Sequence, residues 1–192
     1  MNPDKASMSS KMQDKTDYLA SRLKILDCIN RIARGVDRLD RNLVLSGYHT
    51  DALDDHATYV GGPKGFVDYF FDLHKKAHTS TAHIICNHVC ELEGDVANAE
   101  TYFIFASQNT DGPPYTLAGG RYIDRFERRD GHWAVAVRKC VTTWDTTPDS
   151  PISIQMASAF ALVGHVSRDR KDLSYERPVT LTASRLALRS SD

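Results

Sequence analysis

His74, His78, His83 and His88 crowd into fifteen positions and make up half of the chain's eight histidines. Imidazoles this close in sequence could bind a metal, fill a core, or include one catalytic base. Strand parity separates them. In a strand over residues 79–92, His83, Ile85 and Asn87 share one face while Ile84, Cys86 and His88 share the other, because successive side chains alternate. His74 and His78 could share a helix face at i, i+4. However, "HKKAH" lacks the glutamate of the zinc-protease motif and sets two lysines beside the first histidine. The "DALDDH" run, Asp51 to His56, likewise reads as a loop of solvated acids, since no further ligand follows at useful spacing. No metal and no cofactor are expected.

His83 gains chemical meaning from a partner. Asp37 falls where a long first helix ends, in "RGVDRLD", and a carboxylate there opposes the negative end of the helix dipole. Helix stability therefore does not explain it. An Asp–His pair in an apolar pocket fixes the imidazole tautomer and stabilises imidazolium, which lets His83 take a proton from carbon. Such a base contributes roughly 10²- to 10⁴-fold in rate, so a second group must hold the developing charge.

The elements that position this pair are legible in the pattern. Leu19, Leu23, Leu26, Ile29, Ile32 and Val36 recur every three or four residues, predicting an amphipathic helix from Tyr18 to about Asp37. Gly35 fits its terminus, and "DRLDRNLVLSGYH" predicts a second short helix. "DDHATYV" reads as a short strand, and Pro63 opens a helix through "PKGFVDYFFDLHKKAH" with Phe66, Phe70 and Leu73 on its buried face. Four β-rich stretches follow, "TAHIICNHVCELE", "VANAETYFIFASQ", "TLAGGRYIDRFER" and "HWAVAVRKCVTTW", with "EGD" and "RDGH" as turns between strands. Gly119 and Gly120 mark where the sheet bends. Helices followed by hairpins predict an α+β fold.

With 192 residues, 41% hydrophobic and 26% charged, the chain can bury one core without staples. A net charge of −1 gives no reason to expect nucleic acid or an anionic membrane as partner. The cysteines, at 28, 86, 90 and 140, form neither a disulfide framework nor a CxxC pair. The polar N-terminus lacks the apolar core of a secretory signal, and no apolar run approaches membrane-spanning length. A cytoplasmic location is expected. Residues 1–13 are expected to be a disordered arm, 14–147 the domain, and 148–192 a C-terminal extension.

The stretches "ARGVDRLDRNLVLSGYHTDALDDHA", "TAHIICN", "ELEGDVANAETY" and "GGRYIDRFERRDGHWAV" resemble, in order and spacing, the SnoaL-like branch of the nuclear transport factor 2-like superfamily. The resemblance covers about residues 18–147. It implies a cone-shaped α+β barrel in which a curved, mostly antiparallel sheet and N-terminal helices enclose a pocket. It also implies kinship with cofactor-free lyases such as scytalone dehydratase, hexachlorocyclohexane dehydrochlorinase and bile-acid 7α-dehydratase. These enzymes use an Asp–His dyad and usually assemble as trimers. Their aspartate falls on Asp37 and their histidine on His83. A lysine or tyrosine that assists their leaving group is replaced here by Ile32, and a late-strand arginine falls near Thr142. Arg138, four residues earlier on the same strand face, is the substitute expected for it. Tyr48, Tyr59 and Tyr102 could each donate a phenolic hydrogen bond, with Tyr102 favoured as the residue on a central strand, and His56 could reach the pocket mouth.

The expected function is a cofactor-independent lyase or isomerase acting on a hydrophobic, cyclic small molecule, in a homo-oligomer, trimer or dimer. Two further readings stand beside it. One is a non-catalytic small subunit of an aromatic-ring dioxygenase, which shares this fold. The other is a small-molecule-binding module.

Overall fold

The computed structural model describes residues 3–147 and 167–171, with side chains described from Met12 onward. Helix α1 spans Pro3–Asp37, so it begins well before the apolar repeat and takes in most of the expected disordered arm. Proline is tolerated in a first helical turn, and no glycine or further proline interrupts the chain until Gly35. The buried stripe starts at Ser21 and continues through Ile25, Cys28, Ile29, Ile32 and Val36. Leu19 and Leu23, assigned to that stripe by spacing, are exposed.

Helix α2, Arg41–Leu45, is capped by Asp40, whose Oδ1 accepts from the Leu43 N–H at 3.0 Å. Gly35 permits its close approach to α1: a Cβ there would lie 2.7 Å from Val44 Cγ2. Strand β1 covers Tyr48–Asp55, β2 covers Val60–Gly61, and helix α3 covers Pro63–Ala77. The stretch "DDHATYV" is therefore the hairpin joining β1 and β2 rather than one strand. Ala57 adopts φ 58°, and the His56 N–H donates to the Tyr59 carbonyl at 2.8 Å.

The remaining strands, β3 (His78–Glu93), β4 (Val96–Asn109), β5 (Tyr115–Arg129) and β6 (His132–Thr146), form the expected antiparallel meander. Sheet order is β2-β1-β6-β5-β4-β3, with β1 parallel to β6 and every other pair antiparallel. The fold is thus α+β, with helices packed on a mixed, mostly antiparallel sheet. The register slips between Gly119 and Gly120, where the bend was expected. A Cβ on Gly120 would collide with the Val141 carbonyl and stand 2.8 Å from Phe103 Cζ.

A second irregularity changes which side chains face inward. Between Ile85 and His88 the β3–β4 register shifts, so His88 pairs with Thr101 whereas Ile85 pairs with Phe103. The bulge inserts an extra residue and reverses parity. His88 consequently faces inward, its Nδ1 2.9 Å from the buried Thr101 hydroxyl. The core joins Ile25, Ile29 and Ile32 of α1 to Phe66, Val67 and Phe71 of α3 and to Phe126, Trp133 and Val135 of the sheet.

Of the C-terminal extension, residues 148–166 and 172–192 lie outside the described residues. The described piece returns to the domain. Arg38 donates to the Ser167 carbonyl at 2.7 Å, and Arg168 donates to the His74 and His78 carbonyls at 3.0 Å each. Among the described residues, no helix is long and apolar enough to cross a membrane.

Candidate active site

Asp37, the last residue of α1, meets His83, the sixth residue of β3. Asp37 Oδ1 lies 2.7 Å from His83 Nδ1, and Asp37 Oδ2 accepts the His83 backbone N–H at 2.9 Å. The backbone bond holds the carboxylate at the strand, and the side-chain bond then fixes the ring. With Nδ1–H directed at the carboxylate, the neutral imidazole presents the Nε2 lone pair. Both side chains are largely withdrawn from solvent, at 12% exposure for His83 and 15% for Asp37.

His83 lines a cavity of about 240 Å³ between the helices and the concave face of the sheet. Ligand cavities usually run from about 300 to 1,000 Å³, so this one suits a small molecule of one or two rings. Ile32, Ala33 and Val36 form the α1 wall, and Phe66, Phe70, Leu73 and His74 the α3 wall. Phe103, Phe105, Ala118, Tyr122, Arg138, Cys140 and Thr142 project from the sheet, and His56 and His78 complete the lining. The surface is apolar apart from a few polar groups that converge on it. In such a setting each hydrogen bond or charge acts with little screening.

Of the polar residues expected at the site, His83, Arg138, Thr142 and His56 line the cavity and Asp37 stands behind His83. The three tyrosines do not. Tyr102 is exposed on the outer face of β4, beside Arg121, because parity that turns Phe103 and Phe105 inward turns Tyr102 outward. Tyr48 is buried behind the wall and donates to Asp54 Oδ2 at 2.6 Å. Tyr59 donates to the Gly62 carbonyl at 2.7 Å and packs on Phe66 and Tyr69.

Arg138 is fully buried and held by two bonds to Asp124, Nε to Oδ1 at 2.8 Å and Nη2 to Oδ2 at 2.7 Å. Its guanidinium also covers the Tyr122 ring at 4.1 Å from the centroid. Burial works against the charge, but Asp124 and the neighbouring oxygen groups outweigh it and raise the guanidinium pKa. Arg138 is thus a charged part of the wall with its donors turned mainly to Asp124. Burial pushes the Tyr122 phenol well above its usual range and raises the Cys140 thiol to about 12.

Three neighbours complete the surroundings: Asp54 is a buried residue of strand β1 rather than part of a loop of solvated acids, Asp124 carries no signal in the sequence, and His74 belongs to the pocket wall. Asp54 is completely buried and lies 2.5 Å from His56 Nδ1. Asp124 pairs with Arg138 across adjoining strands. His74, whose Nδ1 is 3.0 Å from His78 Nδ1, has its pKa lowered to about 3 by burial and by the neighbouring His83, His78 and Arg168. Among the described residues, no set of three or more histidine, cysteine or acidic side chains is arranged to hold a metal ion.

Residues 17–139 match the family model described as a SnoaL-like domain. The chain belongs to the SnoaL-like domain family. Solved structures of similar fold carry the same architecture. A hexachlorocyclohexane dehydrochlorinase (LinA type 3) from Novosphingobium barchaimii is 22% identical with a TM-score of 0.67, over 73% of this chain and 98% of that one. A second dehydrochlorinase, LinA type 2, is 24% identical with a TM-score of 0.67, over 73% and 96%. A protein assigned as a scytalone dehydratase from Novosphingobium aromaticivorans is 15% identical with a TM-score of 0.64, over 72% and 95%. A comparison with curated proteins found no match. At these identities the likeness establishes the SnoaL-like fold, which dehydrochlorinases share.

Proposed function

We propose that this SnoaL-like protein is a cofactor-independent lyase or isomerase whose base is His83, acting on a hydrophobic cyclic molecule of one or two rings. The observation that carries the reading is the double grip of Asp37 on His83 at the wall of an apolar cavity. Nε2 of His83 removes a proton from a substrate carbon. Asp37 keeps the ring in one tautomer and offsets the charge that the imidazole acquires. The apolar walls of α1 and α3 exclude water and orient the ring system, and the Arg138–Asp124 ion pair adds a fixed dipole to the sheet wall. A non-catalytic subunit or a plain binding module gives no reason for a carboxylate to be held against an imidazole in this hollow.

The experiment is turnover of 5-nitro-1,2-benzisoxazole, a two-ring compound that opens when a base takes the proton from its carbon. Wild-type protein is expected to turn it over above the rate of free imidazole, and His83→Gln to lose that activity while keeping its melting temperature. Undiminished turnover by His83→Gln would overturn the assignment.

A further inference from the structure

An elimination needs more than a base, because the departing group leaves with an electron pair that something must neutralise. The α1 wall offers no donor: Ile32, Ala33 and Val36 are all apolar. Arg138 directs two donors at Asp124. His78 meets His74 through Nδ1, and burial together with Arg168 disfavours its charged form. Burial of the Tyr122 and Cys140 protons makes neither group acidic.

His56 is built differently. Its Nδ1 lies 2.5 Å from Oδ1 of Asp54, a carboxylate completely shielded from solvent whose other oxygen accepts from the Tyr48 hydroxyl at 2.6 Å. Asp54 thus does for His56 what Asp37 does for His83, fixing the ring and turning Nε2 to the cavity. That Nε2 has no hydrogen-bond partner among the described residues. A histidine serving packing alone would have no use for a buried carboxylate, whose desolvation costs free energy.

The two pairs stand at different ends of one aromatic row. His56 packs beside Phe70 of α3 at 5.1 Å between ring centroids, and His83 beside His74 at 6.4 Å. Phe70 and His74 are one helical turn, about 6 Å, apart along the axis. A bound ring lying along that row meets one imidazole at each end.

We propose that His56, held by Asp54, is the second catalytic residue of this pocket, the acid that protonates the leaving group while His83 takes the proton from carbon. The proposal rests on the reading of His83 as base. Before the step His56 carries the proton on Nε2 and His83 is neutral. The C–H proton passes to His83 Nε2, and the C–H electron pair becomes the new double bond. The adjacent bond to the leaving group breaks, and that group departs with its electron pair and the proton from His56 Nε2. His83 ends as imidazolium and His56 as neutral imidazole, and exchange with water restores both.

Benzisoxazoles separate the two roles, since each opens by loss of one carbon-bound proton and releases a phenolic oxygen of chosen acidity. Unsubstituted 1,2-benzisoxazole releases a basic phenolate that gains from protonation, whereas the 5,7-dinitro compound releases one that does not. His56→Gln is expected to lower kcat/KM for the unsubstituted compound about tenfold or more and for the dinitro compound less than about threefold. His83→Gln should lower both about equally. Equal losses on the two probes in His56→Gln, or no loss on either, would overturn the role of His56 and leave His83 untouched. Absence of wild-type turnover on both would overturn the base reading and this one with it. Wild-type protein supplies a second readout that needs no variant. Across a benzisoxazole series, its log kcat/KM should depend less steeply on leaving-group acidity than the rate with free imidazole in water. An equal or steeper slope overturns the proposal.

Discussion

Asp37 holds His83 at two atoms, with one carboxylate oxygen 2.9 Å from the backbone nitrogen and the other 2.7 Å from Nδ1. Asp37→Asn preserves the size of the group and an acceptor for the backbone N–H while removing the charge that supports imidazolium. Turnover of 5-nitro-1,2-benzisoxazole should fall roughly 10²- to 10⁴-fold, with only a small change in melting temperature. A loss within threefold would show that Asp37 does not assist the base.

The Arg138–Asp124 pair is buried on both sides, with side-chain exposures of 1% and 0%. Removing one partner strands the other as an uncompensated charge, so Arg138→Met is expected to cost about 3–5 kcal/mol in urea unfolding. Adding Asp124→Leu to that variant should restore much of the loss, because the stranded carboxylate is then gone. A double variant as unstable as the single one would indicate that the cost lies in packing around Tyr122.

Gly120→Ala tests the bend of the sheet. A methyl group there meets the Val141 carbonyl and the Phe103 ring, both on neighbouring strands. Strands in the middle of a sheet cannot separate without losing ladder bonds. Overpacking of this kind should destabilise by about 1–3 kcal/mol. Wild-type stability in this variant would mean the bulge relaxes freely.

His74 sets a stability window in pH. Its pKa falls to about 3 through burial and its His83, His78 and Arg168 neighbours, whereas an unfolded histidine titrates near about 6.5. Between these values the unfolded chain binds the additional proton, so unfolding free energy must decline as pH drops from about 6.5 toward 3. His74→Phe removes that group beside Phe70 and Phe105. The variant's pH slope in this window should be shallower by up to one proton, measured by chemical denaturation at several pH values. An unchanged slope would mean His74 does not carry the effect.

Tyr102→Phe should leave turnover of the benzisoxazole probe unchanged, and stability within about 0.5 kcal/mol, since the ring faces outward beside Arg121. A selective drop in kcat would instead require the outer face of β4 to take part in the reaction.

The apolar spacing of α1, the proline opening α3 and the turns of the meander announced an α+β fold, because helix and strand periods depend only on local geometry. Asp37 and His83 could be singled out for the same kind of reason: a carboxylate at a helix C-terminus and a histidine on the inward parity of a strand are local anomalies. Tertiary structure decided everything that depends on register and distance. The bulge at residues 86–87 reversed the facing of His88, and the outward parity of β4 removed Tyr102 from the pocket. The β1–β6 pairing brought Asp54 opposite Arg138, and the hairpin after β1 folded His56 back onto Asp54. Neighbours in sequence reveal alternation, but a one-residue slip flips every later side chain, and only the folded sheet states where such slips occur.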